Sequence, residues 1–340
     1  MPTIKDVARR AGVAPITASR VINNSGYVSA ETRRRVEAAI EELGYVPNRV
    51  ARSLRSKRTQ TLALVLTDIT NPFWTTVARG VEDAARMGGF SVILGNTDES
   101  EPREYEYVQV LLQKQVDGFL LVPTRHGARS VALIQRQKVP LVVLDRTVEA
   151  NVDTVRSDSI GGARALTHHL ISLGHRRIAM LTGPREVSTA VDRALGYRQA
   201  LEEAGIPVEG DLIRFGPYTQ QAGYAMTLSI LSLSPRPTAI FAGNNFIAVG
   251  ALRALREAGL QVPEDVSLVA YDDLPPNFLV EPFLTVAAQR AYEMGQVATQ
   301  LLLTRLAEQE PGQPQEIVLP TELIIRRSCG NPKNMDQTGE

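Results

Sequence analysis

The stretch TIKDVARRAGVAPITASRVINN, residues 3–24, decides the fold of the first part of this chain. Thr3 and Asp6 have the spacing of a capping box, which predicts a helix that begins directly after Thr3. Gly12 interrupts the helical pattern and suits the left-handed turn between two helices. Pro15 is favoured at a first helical position, so a second helix is predicted from Pro15 onward.

A third helix is predicted in AETRRRVEAAIEEL, residues 30–43. Ser29 can cap its first turn, and Gly44 can end it. Two helices joined by a short glycine turn and packed by a third form the helix-turn-helix arrangement, whose second helix enters the DNA major groove. On the helical pattern alone, a small bundle that binds protein is the alternative.

Charge separates this first part from the rest of the chain. Residues 1–60 contain 12 Lys and Arg against 5 Asp and Glu, whereas the remaining 280 residues contain 25 against 32. A basic segment joined to a mildly acidic body predicts a polyanionic partner for the segment alone. The charge therefore favours DNA over protein as the partner of the three helices.

The outward side chains of the second helix are the candidate base contacts. Arg20 can donate two hydrogen bonds to guanine or hold a phosphate, and Ile16 can contact a thymine methyl group. The candidate DNA-binding residues of the three helices are Thr3, Pro15, Ile16, Thr17, Ser19, Arg20, Asn23 and Tyr27.

The segment NRVARSLRSKRTQ, residues 48–60, joins the basic part to the acidic body. Its apolar side chains form one short helical face, but about two turns of helix are unstable alone in water. We therefore expect a helix that forms only with a partner. Its candidate DNA-binding residues are Asn48, Ala51, Arg52, Leu54 and Arg55.

After residue 60, apolar runs such as LALVLTD (62–68) and RIAMLTG (177–183) alternate with helical patterns. This alternation predicts parallel sheets with helices on both faces, and ligands bind such sheets at the carboxyl ends of the strands. Carboxylates, amides, an arginine and aromatic rings follow these strands, a mixture that suits a neutral polyhydroxyl ligand. At any single position, the alternative is that Asp or Asn only caps the following helix.

Several motifs resemble the lactose/galactose repressor family of bacterial transcription regulators. They are residues 3–24, the hinge VPNRVARSL (46–54), PTAIFAGNNFIAVGALRALREAG (237–259) and LPTELIIRRS (319–328), and the resemblance covers about residues 3–328. It implies that two hinge segments fold as short helices over the minor groove. Leu54 then matches the residue inserted between base pairs, and Ala51 matches a residue of the helix–helix contact.

The resemblance also implies the domain organisation. An all-α helix-turn-helix head (1–47) is followed by a hinge helix and linker (48–60), an α/β core (61–328) and a flexible tail (329–340). The core is similar to periplasmic sugar-binding proteins, which have two doubly wound parallel-sheet subdomains with a ligand cleft between them. The expected subdomains are about 61–158 plus 290–317, and about 159–289 plus 318–328.

The core motifs NPFW (71–74), LDR (144–146) and YDD (271–273) resemble the monosaccharide-binding members, including the ribose-type binding proteins. This resemblance implies that Phe73 and Trp74 sandwich a sugar ring while polar residues of both subdomains bind its hydroxyl groups. The matching positions are Asn71, Phe73, Trp74, Asp98, Asp145, Arg146, Arg193, Tyr218, Asn244, Asp272 and Gln289.

Three departures from the family pattern carry information. The family usually has Asn-Asp where this chain has Asn244 and Asn245. Its purine-binding members carry an arginine two residues before Thr189, where this chain has Val187, which argues against a purine effector. The tail CGNPKNMDQTGE has no leucine heptads, so we expect a dimer without the tetramerising helix of the lactose repressor.

Other functional classes find little support in the sequence. A single cysteine, Cys329, and a charged N-terminus without an apolar signal segment predict a cytoplasmic protein, and no membrane span is expected. We find no GxSxG or Walker A motif, and His168 and His169 have no partners for a metal site, so no enzyme, metal or cofactor is expected.

We therefore expect a DNA-binding transcriptional regulator, a repressor controlled by a sugar or sugar acid. A non-sugar effector, corepressor logic and activation stay open. Two rivals are a transport-type sugar-binding protein, which the basic head contradicts, and a sugar-modifying enzyme, which turnover of a candidate sugar would support.

Overall fold

The computed structural model describes residues 2–46, 58–274, 282–308 and 312–332. The chain divides into two compact units, Met1–Thr59 and Gln60–Glu340. The candidate hinge residues Asn48, Ala51, Arg52, Leu54 and Arg55 lie outside the described residues.

The first unit contains the three predicted helices, α1 (Ile4–Ala11), α2 (Pro15–Ile22) and α3 (Ala30–Leu43). The capping box is present, because the Asp6 backbone N–H donates to Thr3 Oγ1 and the Thr3 backbone N–H donates to Asp6 Oδ2. Gly12 has φ +64°, a left-handed conformation in which a glycine costs least, so it ends α1 as the sequence predicts.

Small and β-branched side chains form the core of this unit. They come from all three helices and are Val7, Ala8, Ala11, Ala18, Val21, Val36 and Ala39. Arg35 of α3 adds a polar contact, because its Nη2 donates to the carbonyl oxygens of Ala11 and Gly12 at 2.5 and 3.0 Å. The guanidinium thereby holds the end of α1 and the turn into α2 against α3.

The second unit alternates strands and helices. Its strands are β1 (Thr61–Leu66), β2 (Ser91–Asn96), β3 (Gly118–Leu121), β4 (Leu141–Leu144), β5 (Asp153–Ser157), β6 (Ile178–Thr182), β7 (Ile213–Phe215), β8 (Ala239–Ala242), β9 (Ser267–Tyr271), β10 (Thr285–Ala288), β11 (Glu316–Leu319) and β12 (Glu322–Ile324). Its helices are α4 (Pro72–Met87), α5 (Glu101–Gln113), α6 (Ala128–Arg136), α7 (Ser159–Ser172), α8 (Ser188–Glu203), α9 (Gln220–Leu231), α10 (Asn245–Glu257) and α11 (Ala291–Ala307), with a short 3₁₀ turn at Gly210–Leu212.

The strands of the described residues form two six-stranded sheets. The first has the order β11-β5-β4-β3-β1-β2 and is parallel throughout. The second has the order β12-β10-β9-β8-β6-β7 and is parallel except for β12, which runs antiparallel to β10. β12 follows β11 after only two residues, so the chain passes directly there from the edge of the first sheet to the edge of the second. The predicted doubly wound class is therefore confirmed, with one antiparallel edge strand that the sequence did not predict.

Helices cover both faces of each sheet, and glycines allow some helix pairs to pack backbone against backbone. A Cβ on Gly80 of α4 would lie 2.1 Å from the carbonyl oxygen of Tyr292 in α11. A Cβ on Gly250 of α10 would likewise lie 2.0 Å from the carbonyl oxygen of Gln220 in α9. These close approaches fix helices whose first residues border the strand ends.

Two further features concern a possible metal site and a possible membrane span. His175 is buried and bonds Thr238 and Ser267 through its two ring nitrogens, at 2.8 and 2.9 Å, which is a structural role. Among the helices that the structure describes, none is both long and apolar enough to cross a membrane.

Candidate effector cleft and DNA-binding face

The polar residues that end the strands of both sheets converge on one cleft in the second unit. The cleft has a volume of about 390 Å³, a size suited to a small ligand. All eleven residues that the sequence analysis proposed for effector binding line it, together with Thr67, Asp68, Glu99, Arg125, Pro184, Val187, Thr189, Pro217 and Thr219. Convergence follows from topology, because parallel strands bring their carboxyl ends to one edge.

Two aspartates occupy equivalent places, one after a central strand of each sheet. Asp145 follows β4 and Asp272 follows β9, and both have a left-handed backbone with φ of 62° and 67°. This conformation is unfavourable for a residue with a side chain, and such strain is concentrated at functional sites. Burial raises the pKa of Asp145 to about 6, although Arg193 and Arg146 oppose the shift, and burial also raises the pKa of Asp272.

Two buried arginines carry the positive charge of the cleft wall. Arg146 donates to Glu99 through Nη1 and Nη2, at 2.8 and 2.5 Å, and to the carbonyl oxygen of Pro123 at 2.9 Å. Arg193 donates to the carbonyl oxygen of Gly243 at 2.6 Å and lies 3.8 Å from the ring centre of Tyr271. Both guanidinium groups are therefore held in place by the protein itself.

Five buried polar atoms of the cleft residues have no hydrogen-bond partner among the described residues. They are Thr67 Oγ1, Asp145 Oδ1, Arg146 Nε, Arg193 Nε and Gln289 Oε1. Buried polar groups of folded proteins are almost always paired, so a cluster of unpaired donors and acceptors indicates a polar ligand site. Gln289 also donates from Nε2 to Asp272 at 2.5 Å, which orients its unpaired oxygen.

The asparagines of the cleft have the capping role that the sequence analysis considered as the alternative. The side chain of Asn71 accepts from the Phe73 backbone N–H at 3.0 Å, and that of Asn244 accepts from the Ile247 N–H at 2.8 Å. Each begins a helix and lines the cleft at the same time. Capping uses the side-chain oxygen of both asparagines. Asn244 can therefore still donate to a ligand from its side-chain N–H groups.

The expected sandwich of a sugar ring between Phe73 and Trp74 is wrong. Their ring centres lie 4.7 Å apart at an interplanar angle of 70°, an edge-to-face contact with no space for a third ring. Adjacent residues at the start of a helix point in different directions, which prevents the parallel arrangement that a sandwich needs. Tyr218 of the other subdomain also lines the cleft and can supply a ring from that side.

Asp98 borders the cleft, but its carboxylate is already engaged. Asn96 Nδ2 donates to Asp98 Oδ1 at 2.6 Å, and Arg103 pairs with the other oxygen. Its side chain is 54% exposed, unlike the buried Asp145 and Asp272. Asp98 is therefore the weakest of the candidate effector residues.

The predicted recognition helix α2 presents its candidate residues on one exposed face of the first unit. Ile16 is 57% exposed and Arg20 and Pro15 are exposed, while Thr17 and Ser19 are half-buried beside them. The loop after α2 carries Tyr27, which is 91% exposed. An isoleucine and a tyrosine so exposed on a basic unit suit contacts with bases and sugars of DNA.

Two other candidate DNA-binding residues have hydrogen bonds within the head. Asn23 donates from Nδ2 to the Ser19 carbonyl oxygen at 2.8 Å, which leaves its side-chain oxygen for a ligand. Thr3 Oγ1 donates to Asp6 Oδ2 at 2.7 Å, so its hydroxyl group serves the first helix.

Comparison with known proteins supports the same division of the chain. Residues 3–48 match the family model "Bacterial regulatory proteins, lacI family", and residues 167–329 match "Periplasmic binding protein-like domain". The ribose operon repressor of Halalkalibacterium halodurans is 36% identical over 336 residues, which are 99% of each chain. This chain belongs to the lacI family of bacterial regulatory proteins.

Solved structures of the lacI family share the fold. The lac repressor dimer bound to operator and the anti-inducer ONPF has a TM-score of 0.85 and 30% identity, over 97% of this chain and 99% of that one. A lacI-family regulator from Enterococcus faecium with bound ribose has a TM-score of 0.71 and 33% identity, over 80% of this chain and 100% of that one. This lacI-family chain is thus a DNA-binding transcriptional regulator with a ligand-binding core.

Sequence reasoning missed several residues of the cleft. Glu99 and Arg125 line it, yet neither ends a strand, so the search at strand ends did not find them. Arg125 lies in the loop after β3, and its basic side chain beside a strand end was the available signal. For Glu99, the signal was the run DES after Asn96, in which acids follow a strand by a few residues.

Proposed function

We propose that this protein is a homodimeric repressor of a near-palindromic operator, controlled by a neutral monosaccharide of the ribose type. One observation carries the effector assignment: five buried polar atoms without a partner among the described residues belong to residues that line one small cleft. Donors and acceptors placed together in this way match the adjacent hydroxyl groups of a sugar ring. The name of the ribose operon repressor and the ribose in the related structure support a pentose as the first candidate.

The cleft wall favours a sugar over a purine. Val187 is 3% exposed and lines the cleft at the position where purine-binding members of the family carry an arginine. An apolar side chain there offers no hydrogen bond to a base. Phe73, Trp74 and Tyr218 instead offer aromatic surfaces that can pack against the apolar face of a sugar. A non-sugar effector in the same fold is the alternative, and it would have to supply hydrogen-bond partners for the five unpaired atoms.

We assign operator reading to the exposed face of α2 and to the hinge. Arg20, Thr17 and Ile16 would meet base edges in the major groove. Two hinge segments would fold over the minor groove, with Leu54 inserted between base pairs and Ala51 at the contact of the two copies. The hinge helix is too short to be stable alone, so its folding is a step that an effector can control.

The proposed coupling uses the domain boundaries expected from the sequence, with a head (1–47), a hinge (48–60), a core (61–328) and a tail (329–340). Sugar binding changes how the two subdomains of each core sit in the dimer, and this changes the population of hinges that can fold on DNA. We propose induction, in which sugar releases the operator. If the sugar were a corepressor, its binding would instead raise the affinity for the operator.

We also place the protein in the cytoplasm with its operator DNA, and we propose that the core binds its effector without converting it. Arg193 and Arg146 interact electrostatically with Asp145, and Arg193 does so with Asp272, an arrangement that suits hydrogen bonding to hydroxyl groups. Prolonged incubation with ribose should therefore return unchanged ribose. A product detected by chromatography would instead support a sugar-modifying enzyme.

The experiment uses the full-length protein and an operator selected from a random-sequence DNA library. We expect ribose to raise the melting temperature more than hexoses, sugar acids or nucleosides do, because a ligand specific to the fold stabilises it. We expect ribose to lower operator affinity, measured by fluorescence anisotropy. Asp272→Ala should abolish this response and spare operator binding. A full response in that variant would move the effector to another site.

A further inference from the structure

Glu99 neutralises the buried arginine of the effector cleft. Its two carboxylate oxygens accept from Nη1 and Nη2 of Arg146, at 2.8 and 2.5 Å, in a two-pronged ion pair. The Arg146 side chain is only 5% exposed, whereas that of Glu99 is 36% exposed. The acid therefore covers the outer edge of the guanidinium group, and Arg146 Nε has no partner in the part of the chain that the structure describes.

The backbone around Glu99 is arranged to make this contact. Asp98 and Glu99 have φ values of 51° and 57°, two successive left-handed residues directly before the start of α5. Such a pair is unfavourable for residues with side chains. It turns the chain so that Glu99 reaches Arg146, 47 positions further along the sequence. Asp98 does not share the contact, because it pairs with Arg103.

This pairing decides which ligand chemistry Arg146 can recognise. Carboxylates and phosphates are bound by arginine through two parallel N–H donors, and in Arg146 Glu99 already uses Nη1 and Nη2. Arg146 Nη1 also donates to the Pro123 carbonyl oxygen, so the Nε–H and one Nη2–H remain of its five donors, and hydroxyl groups of a neutral sugar can accept from them without adding charge. Arg146 is thus fixed as a hydrogen-bond donor whose charge is already balanced.

The other charged residues of the cleft also disfavour an anionic ligand. Its lining contains five acids, Asp68, Asp98, Glu99, Asp145 and Asp272, and three arginines, Arg125, Arg146 and Arg193. Glu99 and Asp145 raise the pKa of Arg146 against the opposing effect of burial, which shows that this arginine is already compensated. An anionic ligand would add negative charge where acids are in excess.

We propose that Glu99 is a specificity-determining residue, which makes the cleft select neutral sugars and reject sugar acids and sugar phosphates. This inference rests on the proposed sugar effector. It removes sugar acids from the effector classes that the sequence left open, because Glu99 already balances the charge of the buried Arg146 and acids outnumber arginines in the cleft lining.

The test compares D-ribose with D-ribose 5-phosphate and D-ribonate by isothermal titration calorimetry on the full-length protein. In the unaltered chain we expect ribose to bind at least about 100-fold more tightly than either anion. Glu99→Gln keeps the size of the side chain and frees the Arg146 fork. We expect the ratio of ribose to anion affinity to fall by about tenfold or more, the magnitude of a charge-assisted hydrogen bond. Glu149→Gln is the matched control, an exposed glutamate of the same subdomain outside the cleft lining.

The outcomes separate this inference from the proposed function. If ribose binds the unaltered chain but the anions bind equally well, or if Glu99→Gln gains no affinity for either anion, the assignment of Glu99 is overturned and the sugar effector stands. If no sugar binds the unaltered chain, the proposed effector and the role of Glu99 both fall. The melting temperature and operator binding of Glu99→Gln show whether this variant folds. Even if it misfolds, the relative affinities of the unaltered chain for ribose and the two anions still test the proposed rejection of anions.

Discussion

Asn71 and Asn245 donate a hydrogen bond to each other. Asn71 Nδ2 donates to Asn245 Oδ1 at 3.1 Å, and Asn245 Nδ2 donates to Asn71 Oδ1 at 3.0 Å. The residues lie 174 positions apart, one at the start of α4 beside the first sheet and the other at the start of α10 beside the second. Both are buried, so this reciprocal pair joins the two subdomains beside the cleft.

The amide of Asn245 explains the departure from the family's usual aspartate at this position. Asn71 Oδ1 also accepts from the Phe73 backbone N–H, which fixes which side of the Asn71 amide faces Asn245. The partner must therefore both accept from Asn71 Nδ2 and donate to Asn71 Oδ1. The amide of an asparagine does both, whereas the ionised carboxylate of an aspartate has no hydrogen to donate.

We expect Asn245→Asp to weaken effector binding about tenfold. The change removes one of the two hydrogen bonds and buries a charge beside the Asn71 carbonyl oxygen, at a cost on the order of 1–3 kcal/mol. The subdomains should then open more readily, so the ligand must offset that cost on binding. Titration calorimetry with the proposed sugar and the radius of gyration from X-ray scattering check the prediction.

Asn151→Asp is the control for that experiment, since it makes the same chemical change at an exposed position of the first subdomain. It should alter neither quantity. Equal affinity and equal radius of gyration for Asn245→Asp and the unaltered chain would contradict a role for the pair in holding the subdomains together.

Asp145→Asn should stabilise the protein at pH 7 while it weakens effector binding. Burial raises the pKa of Asp145 from 3.8 to about 6, so the folded chain favours the protonated acid. The contribution of Asp145 to the free energy of unfolding therefore falls as pH rises from about 4 to about 6, and it stays low above pH 6. Replacement by a neutral isostere removes that loss, which is on the order of 1–3 kcal/mol at pH 7.

Urea denaturation of both proteins at pH 4.5 and pH 7.5 measures this effect. The stability advantage of Asp145→Asn should be larger at pH 7.5 than at pH 4.5, with a weaker response to ribose at pH 7.5. If the stability advantage of Asp145→Asn is the same at both pH values, burial does not disfavour the charged form of Asp145.

Arg35→Met should weaken operator binding through the position of the recognition helix. Arg35 donates to the carbonyl oxygens of Ala11 and Gly12, so its loss removes hydrogen bonds that contribute about 1 kcal/mol each and loosens the turn into α2. We expect faster hydrogen exchange in residues 11–18 and about tenfold weaker operator binding. Arg34→Met is the neighbouring control, because Arg34 bonds only the Ala30 carbonyl of its own helix. Equal losses in the two variants would mean that only charge matters.

Local patterns account for what the sequence predicted correctly. The capping box at Thr3 and the glycine turn at Gly12 are short-range signals, so the ends of α1 follow from the sequence. Strands in the centre of each sheet, such as β1 and β8, are apolar throughout and are buried. β5 and β11 do not show such an apolar run, because charged residues interrupt them, and their pairing joins residues about 160 positions apart.

The cleft shows more clearly that local sequence patterns do not predict contacts between distant parts of the chain. Strand ends identify Asp145, Arg146 and Asp272, because topology alone brings those positions to one edge. The contacts that tune these residues do not follow any sequence pattern. Glu99 reaches Arg146, and Asn71 reaches Asn245, only through the packing of whole subdomains. The orientation of Phe73 against Trp74 also depends on local packing, which is why the expected sandwich was wrong.

Leu54→Ala tests the proposed hinge, which lies outside the described residues. If Leu54 is inserted between base pairs, its truncation removes apolar contact from two copies per dimer, on the order of 2–4 kcal/mol in all. We expect operator affinity to fall by about 30-fold or more, with ribose affinity in the absence of DNA nearly unchanged. Arg58→Ala, a basic residue of the same linker, should lower operator affinity less and mainly reduce its dependence on salt. Unchanged operator binding by Leu54→Ala, measured by fluorescence anisotropy at fixed salt, would exclude the inserted leucine. Hydrogen exchange of residues 48–56 adds an independent check, because a hinge already protected without DNA would not need the operator to fold.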